Sequence, residues 1–227
     1  MKKKYFLLII FLVVLAVHII GIQLSHEMLQ NITKPLLIPL LLIYFLSQTK
    51  TVVSSLTKSI VWALFFSWCG DVLLMFQGEN EIFFLLGLSA FLIAHTFYII
   101  FFHKVRIKEK IKSNLWLLIV VVVYYAALIT LLYPHLADMK APVLVYGIVI
   151  SFMFMLAMHM LFIKKRIAGK WMVIGALLFV ISDSILAINK FYQSFEMAEI
   201  LIMVTYGLAQ FFIVEGASSY LRTANAN

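Results

Sequence analysis

The stretch MKKKYFLLIIFLVVLAVHII, residues 1–20, places three lysines before an uninterrupted apolar run, which is typical of a first membrane-spanning helix. A secretory signal peptide has the same basic start and apolar centre. No pair of small residues in a cleavage pattern follows the run. We therefore expect a retained first helix at 5–24.

Seven further apolar runs follow this one, and little else lies between them. Hydrophobic residues make up 64% of the chain and charged residues 12%, with a mean hydropathy of +1.06. Soluble domains contain about 25% charged residues. These values predict an all-α membrane protein with a single transmembrane domain over 1–227. The predicted spans are 5–24, 35–47, 59–76, 82–102, 115–133, 142–163, 171–189 and 197–221.

The distribution of lysine and arginine predicts the orientation. With the N-terminus inside, the outer loops hold only Lys34, Lys140 and Lys190 of the eighteen basic residues. The other fifteen fall in the cytoplasmic segments, as the positive-inside rule requires. We expect both termini in the cytoplasm and the protein in the plasma membrane. The net charge of +8 then reflects loops that face anionic lipid, and nucleic acid is not a predicted partner.

Three short motifs recur at an offset of roughly 110 residues. Residues 34–35 match 140–142, GDVLL at 70–74 matches SDSIL at 182–186, and AHTF at 94–97 matches AQFF at 209–212. Four spans separate the members of each pair, so they run in the same direction. This predicts a parallel four-plus-four repeat, with halves at about 1–112 and 113–227. The alternative is that these short apolar sequences match by chance.

Two aspartates lie inside predicted spans, where an ionisable side chain is costly and indicates function. Asp71 and Asp183 are at similar distances from the outer ends of the third and seventh spans, so they can face one cavity. Two carboxyls in a dry site cannot easily both be ionised, so one remains a proton donor. The alternative is that each only hydrogen-bonds its neighbours and holds the helices together.

Other polar side chains recur near this depth and are candidate substrate contacts. His95 lies in mid-span, while the lysines lie at predicted outer ends, where they can bind a lipid phosphate or simply reach the interface. Tyrosines at an interface often serve only as anchors. The candidates are Lys34, His95, Tyr98, Tyr125, Asn189, Lys190, Tyr206 and Gln210.

No short motif for a metal or a phosphate-binding loop is present, and we predict no metal and no cofactor. The six histidines form no closely spaced pair. A zinc site gathered from separate helices remains an alternative.

Several segments resemble the YhhN family of integral-membrane lysoplasmalogenases. They are KPLLIP at 34–39, FSWCGDVLLM at 66–75 and GALLFVISDSILA at 175–187, with His95 and Gln210 in the fourth and eighth spans. The match runs in order through most of the chain. Gly207 departs from the pattern, since a second aromatic residue is expected there.

The resemblance implies hydrolysis of the vinyl-ether bond of lysoplasmalogens, a class of lysophospholipid, to a fatty aldehyde and a glycerophospho-alcohol. Asp71 and Asp183 would then be catalytic, in acid and base roles that the sequence does not distinguish. Two alternatives remain open: a proton-coupled transporter or lipid carrier that uses the same aspartates, and a structural membrane protein. The oligomeric state is not predicted.

Overall fold

The computed structural model describes residues 2–50 and 54–224, and the side chains of 6–50 and 54–222. Residues 1, 51–53 and 225–227 of the predicted domain lie outside the described part, as do the side chains of Lys2, Lys3 and Lys4, which entered the orientation prediction. Within the described part, eight helices are long and apolar enough to cross a membrane, which confirms the predicted fold class. They are α1 Lys2–Gln23, α2 Glu27–Gln48, α3 Ser55–Met75, α4 Glu81–Lys108, α5 Leu115–Leu132, α6 Lys140–Met158, α7 Arg166–Ala187 and α8 Ala198–Ala224.

Side-chain caps define where three of these helices begin. Ser54, Asn80 and Asn114 each accept a hydrogen bond from a backbone N–H in the first turn of α3, α4 and α5. Such caps satisfy donors that have no partner within the helix. At the other end of α7, the chain continues as a π-helical turn over Ile188–Tyr192.

The predicted start of the second span at Pro35 is wrong. Helix α2 begins eight residues earlier, at Glu27, and contains both Pro35 and Pro39. Proline has no N–H, so Pro39 leaves the carbonyl of Pro35 without its helical partner. The indole Nε1 of Trp68 in α3 donates to that carbonyl at 3.0 Å. A neighbouring helix thus satisfies the freed group, as commonly happens in membrane helices.

This correction changes the position of Lys34. It lies seven residues inside α2 rather than at its outer end, about 10 Å along the helix axis. Pro35 lies in the third turn of α2, whereas Pro142 lies in the first turn of α6. The two prolines used for the internal repeat therefore occupy different helical positions, and the repeat stays a prediction.

The helices pair most closely as two antiparallel hairpins, α3 with α4 and α7 with α8. Small residues permit this approach in the second hairpin. A Cβ at Gly175 would lie 2.7 Å from the carbonyl oxygen of Ala209, and one at Gly216 would lie 2.7 Å from that of Ala168. Close backbone packing at small residues is the usual basis of helix association in lipid. The aspartate helices α3 and α7 thus each pack closely against the following helix.

Helix α5 packs least tightly, since only Val121 and Leu132 of its residues are buried. The buried core lies between the other helices and is rich in aromatic side chains, including Tyr44, Tyr98 and Phe179.

Candidate active site

A cavity of about 370 Å³ lies between the C-terminal ends of α1, α3 and α7 and the N-terminal ends of α2 and α8. Asp71 and Asp183 both line it, each four residues before the last residue of its α-helix. Four residues correspond to about 6 Å of helix. The structure therefore brings the two predicted carboxyls to one cavity.

Asp183 accepts a hydrogen bond from the hydroxyl of Tyr146 in α6 through its Oδ2 atom. His95 Nε2 lies 2.9 Å from the Tyr146 oxygen and 3.4 Å from the same Oδ2. Because the single tyrosine proton goes to Asp183, the His95 nitrogen must be the donor toward Tyr146. The Nδ1 atom of His95 has no hydrogen-bond partner among the described residues. A neutral ring with its hydrogen on Nε2 accounts for both observations.

Asp71 has a matching but different set of partners. Its Oδ2 accepts from the hydroxyl of Tyr206 in α8 at 2.8 Å. Gln210 donates from Nε2 to that tyrosine at 3.4 Å and to Ser67 at 3.0 Å. The Gln210 carbonyl oxygen accepts from Tyr98 at 2.6 Å. Every polar atom of the Gln210 amide thus has a partner, and the network is fixed in direction.

An aromatic wall separates these two networks. Phe179 lies 4.6 Å from the His95 ring and 5.4 Å from the Tyr206 ring, measured between centroids, in edge-to-face contact with both. Phe91 packs edge-to-face on Tyr206 and lines the cavity. In such apolar surroundings, a negative charge on either carboxyl is stabilised mainly by its few hydrogen-bond donors.

The cavity lining contains further charged and polar groups. Lys34 from α2, Glu199 from the first turn of α8 and His18 from α1 all line it. His18 is 2% exposed and contacts the hydroxyl of Thr33 at 2.8 Å through Nδ1. One cation, one carboxylate and one imidazole thus lie on the same cavity as the two aspartates.

The predicted site residues therefore fall into three groups: those that line the cavity, those buried behind it, and those that lie elsewhere. Lys34, Asp71, Asp183 and Tyr206 line the cavity. His95, Tyr98 and Gln210 are fully buried behind it and act through the hydrogen bonds described above.

Three predicted residues lie elsewhere. Tyr125 donates to the carbonyl of Leu144 at 3.3 Å, and Asn189 accepts from the backbone N–H of Phe195 at 3.2 Å. Lys190 is exposed, with its ammonium 5.0 Å from the centre of the Phe84 ring.

Sequence reasoning missed three residues of this site. Tyr146 had a usable signal, since its hydroxyl lies within an apolar span and must find a partner there. His18 belongs to no motif in the sequence, and neither does Glu199, which is the third residue of the predicted span 197–221. Only packing places these two on the cavity.

Among the described residues, no three histidine, cysteine, aspartate or glutamate side chains come together in a way that would hold a metal ion.

Fold and site together define a class: an integral membrane protein of apolar helices, with two carboxyls on a cavity near one membrane face. Comparison with known sequences gives the family. A model of the YhhN family matches residues 29–217, and the chain belongs to that family. The resemblance identified from the motifs is thereby confirmed.

Curated relatives are similar over about 160 residues. Human lysoplasmalogenase TMEM86B is 30% identical, with 71% of this chain and 64% of that protein aligned. Human lysoplasmalogenase TMEM86A is 33% identical, over 68% and 62% of the two chains. A lysoplasmalogenase of Mycobacterium tuberculosis is 29% identical, over 69% and 59%. The chain thus spans about 60% of the length of the curated relatives that it matches. No solved structure matches it significantly.

Proposed function

We propose that this protein is a membrane hydrolase that cleaves the vinyl-ether bond of lysoplasmalogens. The products are a fatty aldehyde and a glycerophospho-alcohol. Three relatives that bear the name lysoplasmalogenase support the reaction. The observation that carries the proposal is the pair of carboxyls on one cavity, each with its own tyrosine donor.

Hydrolysis of a vinyl ether requires protonation of a carbon atom, followed by addition of water. A carboxylic acid protonates the vinyl carbon that is not bound to oxygen, and the electrons of the double bond form the new C–H bond. The resulting oxocarbenium ion is stabilised by a neighbouring carboxylate, as in glycoside hydrolysis. Water adds to the cation and loses a proton, which gives a hemiacetal. Collapse of the hemiacetal returns a proton to the glycerol oxygen and releases the aldehyde, so no proton is gained or lost overall.

The surroundings of the two carboxyls indicate which one is the acid and which one is the carboxylate that stabilises the cation. Oδ2 of Asp183 accepts from the Tyr146 hydroxyl, and His95 Nε2, whose one N–H donates to Tyr146, lies 3.4 Å from the same oxygen. Donors to the charged form favour ionisation, so Asp183 is assigned as the carboxylate that stabilises the cation and directs water. Asp71 has one hydroxyl donor, backed by a neutral amide, and is assigned as the acid. The cation of Lys34, which would favour an ionised Asp71, is engaged by the substrate phosphate.

The cavity also contains groups that suit both parts of a single-chain phospholipid. Lys34 provides a cation for the phosphate, since it lies on the same cavity as the carboxyls. The lining also includes apolar side chains such as Leu74, Met75 and Met203, against which the alkyl chain can lie. Tyr98, His95 and Gln210 are placed as supports of the catalytic groups and not as substrate contacts.

Orientation follows from the distribution of basic residues rather than from the fold. We infer that the protein lies in the plasma membrane with both termini in the cytoplasm and the cavity on the outer side. A reporter fused to the C-terminus would then be cytoplasmic, and one inserted at Asp138 would be external. A C-terminus found outside would overturn this orientation.

The decisive experiment is an assay of the purified protein in detergent with a lysoplasmalogen and its ester analogue. Aldehyde release from the vinyl ether, with no cleavage of the ester, supports the proposal. A transporter or lipid carrier needs two compartments and would release no aldehyde in detergent. Absence of aldehyde from a folded protein would therefore overturn the enzyme and favour the carrier.

A further inference from the structure

His18 is part of the cavity but has no role in the reaction described above. It lies on α1, before residue 29, where the match to the family model begins. Its side chain is 2% exposed, lines the cavity, and has one hydrogen-bond partner among the described residues, Thr33. A buried imidazole that lines the cavity is a candidate to bind part of the substrate.

The hydrogen bonds of Thr33 determine the form of the ring. The Thr33 hydroxyl donates its one proton to the carbonyl of Leu29 at 2.6 Å. At 2.8 Å from His18 Nδ1 it must therefore accept, so the histidine hydrogen is on Nδ1. In the neutral ring, Nε2 then has a lone pair and is an acceptor only.

The acceptor nitrogen is the side of the ring that Thr33 leaves free. Among the described residues, Thr33 contacts His18 at Nδ1, and Nε2 is not one of the sealed and unpaired polar atoms, in contrast to Nδ1 of His95. The ring lines the cavity. Lys34, the cation assigned to the phosphate, lines the same cavity.

We propose that His18 Nε2 accepts a hydrogen bond from the free 2-hydroxyl of the substrate glycerol and so selects single-chain lipids. This rests on the proposed function, in which the phosphate lies at Lys34 and the vinyl ether at the aspartates. The glycerol joins those two groups, so its 2-hydroxyl lies beside His18. A lipid acylated at that position offers only acceptor oxygens, which leave Nε2 unpaired.

The size of the effect follows from the cost of an unpaired group. A buried acceptor without a donor lowers binding by about 10- to 100-fold. A site built around a hydroxyl rejects analogues that lack it strongly, for the same reason. His18 is therefore a specificity-determining residue, expected to change the ratio of rates between substrates.

The experiment compares three vinyl-ether lipids with the purified protein: one with a free 2-hydroxyl, its 2-deoxy analogue and its 2-O-methyl ether. Wild-type kcat/KM should fall about 10- to 100-fold for both analogues. His18→Asn keeps an N–H for Thr33 but removes Nε2, and His18→Phe keeps a flat ring. Both variants should reduce the difference between the hydroxyl and deoxy substrates to about twofold or less.

Two further variants separate recognition from folding. Thr33→Val frees Nδ1, so the ring can take either tautomer, and selectivity for the hydroxyl should weaken although His18 is unchanged. His26→Asn is the matched control, because His26 is an exposed cap of α2 and asparagine caps equally well. Its selectivity should equal that of the wild type.

Several results would overturn the inference. Wild-type protein that cleaves the deoxy and hydroxyl lipids equally well refutes it without any variant. A folded His18 variant that loses activity on both lipids by one factor assigns the residue to catalysis or packing instead. No aldehyde from any lipid overturns the proposed function itself, which is a distinguishable outcome.

Discussion

The two carboxyl sites share one arrangement and differ in one residue type. In each, an aspartate accepts from a tyrosine hydroxyl, and that tyrosine faces an N–H of a fully buried side chain on α4 or α8. At Asp183 the buried side chain is His95, and at Asp71 it is Gln210. An imidazole can take up a proton, whereas an amide cannot.

One carboxyl is thus supported through an imidazole and the other through an amide. Asp183, whose side chain is 14% exposed, has the partners that suit a negative charge. Asp71, at 3% exposure, has a neutral network whose direction is fixed by Tyr98 and Ser67. Two carboxyls with unlike surroundings are the usual basis for separate acid and base roles.

The largest expected effect comes from removing either carboxyl. Asp71→Asn and Asp183→Asn should each lower kcat by about 10²- to 10⁴-fold, because an amide supplies neither a carboxylic proton nor a negative charge. The double variant should be little slower than either single one, since groups that act as a unit are not additive. Aldehyde release measures both.

Asp138→Asn is the control for these variants, because Asp138 is exposed on the turn before α6. It should retain wild-type activity. If the aspartates only hold helices together, their variants will show lower melting temperatures with normal turnover in the folded fraction.

Removal of each tyrosine donor tests the difference between the two carboxyl sites. Tyr146→Phe removes a hydrogen bond to a charged carboxylate and should reduce kcat/KM by about 10- to 100-fold. Tyr206→Phe removes a bond to a neutral acid and should cost about 2- to 10-fold. Tyr125→Phe, whose hydroxyl contacts only the Leu144 carbonyl, should have no effect on activity. A larger loss in Tyr206→Phe than in Tyr146→Phe would reverse the assigned roles.

The two predicted lysines are expected to differ in their effect on substrate binding. Lys34→Ala should raise KM by about 10-fold with kcat nearly unchanged, since the phosphate is held alike in the ground and transition states. Lys190→Ala should change neither constant, because Lys190 lies over Phe84 outside the cavity lining. Equal effects of the two variants would mean that Lys34 has no special role.

It could be predicted from sequence that Asp71 and Asp183 share a cavity, but their hydrogen-bond partners could not. Counting residues from the ends of apolar runs placed Asp71 and Asp183 at one level, because helix rise is constant. Which side chains meet depends on helix rotation. Tyr124 reaches Ser184 at 2.8 Å, beside Asp183, while the adjacent Tyr125 points elsewhere.

Lys34 shows a second limit. Its predicted place at a helix end followed from the apolar run that begins at Pro35. Trp68, thirty-three residues away, makes an internal proline tolerable, and no local pattern indicates that contact. The pairing of His18 with Thr33 is likewise long-range and depends on how α1 meets α2.

The pH dependence of the two asparagine variants tests the assigned roles most directly. Wild-type kcat/KM should rise and then fall with pH, with two apparent values that belong to the pair. Residual activity of Asp71→Asn should lose the fall at high pH, because no protonated Asp71 is then required. That of Asp183→Asn should lose the rise at low pH. The opposite pattern would exchange the roles, and a flat wild-type profile between about pH 4 and 9 would contradict a proton-sharing pair altogether.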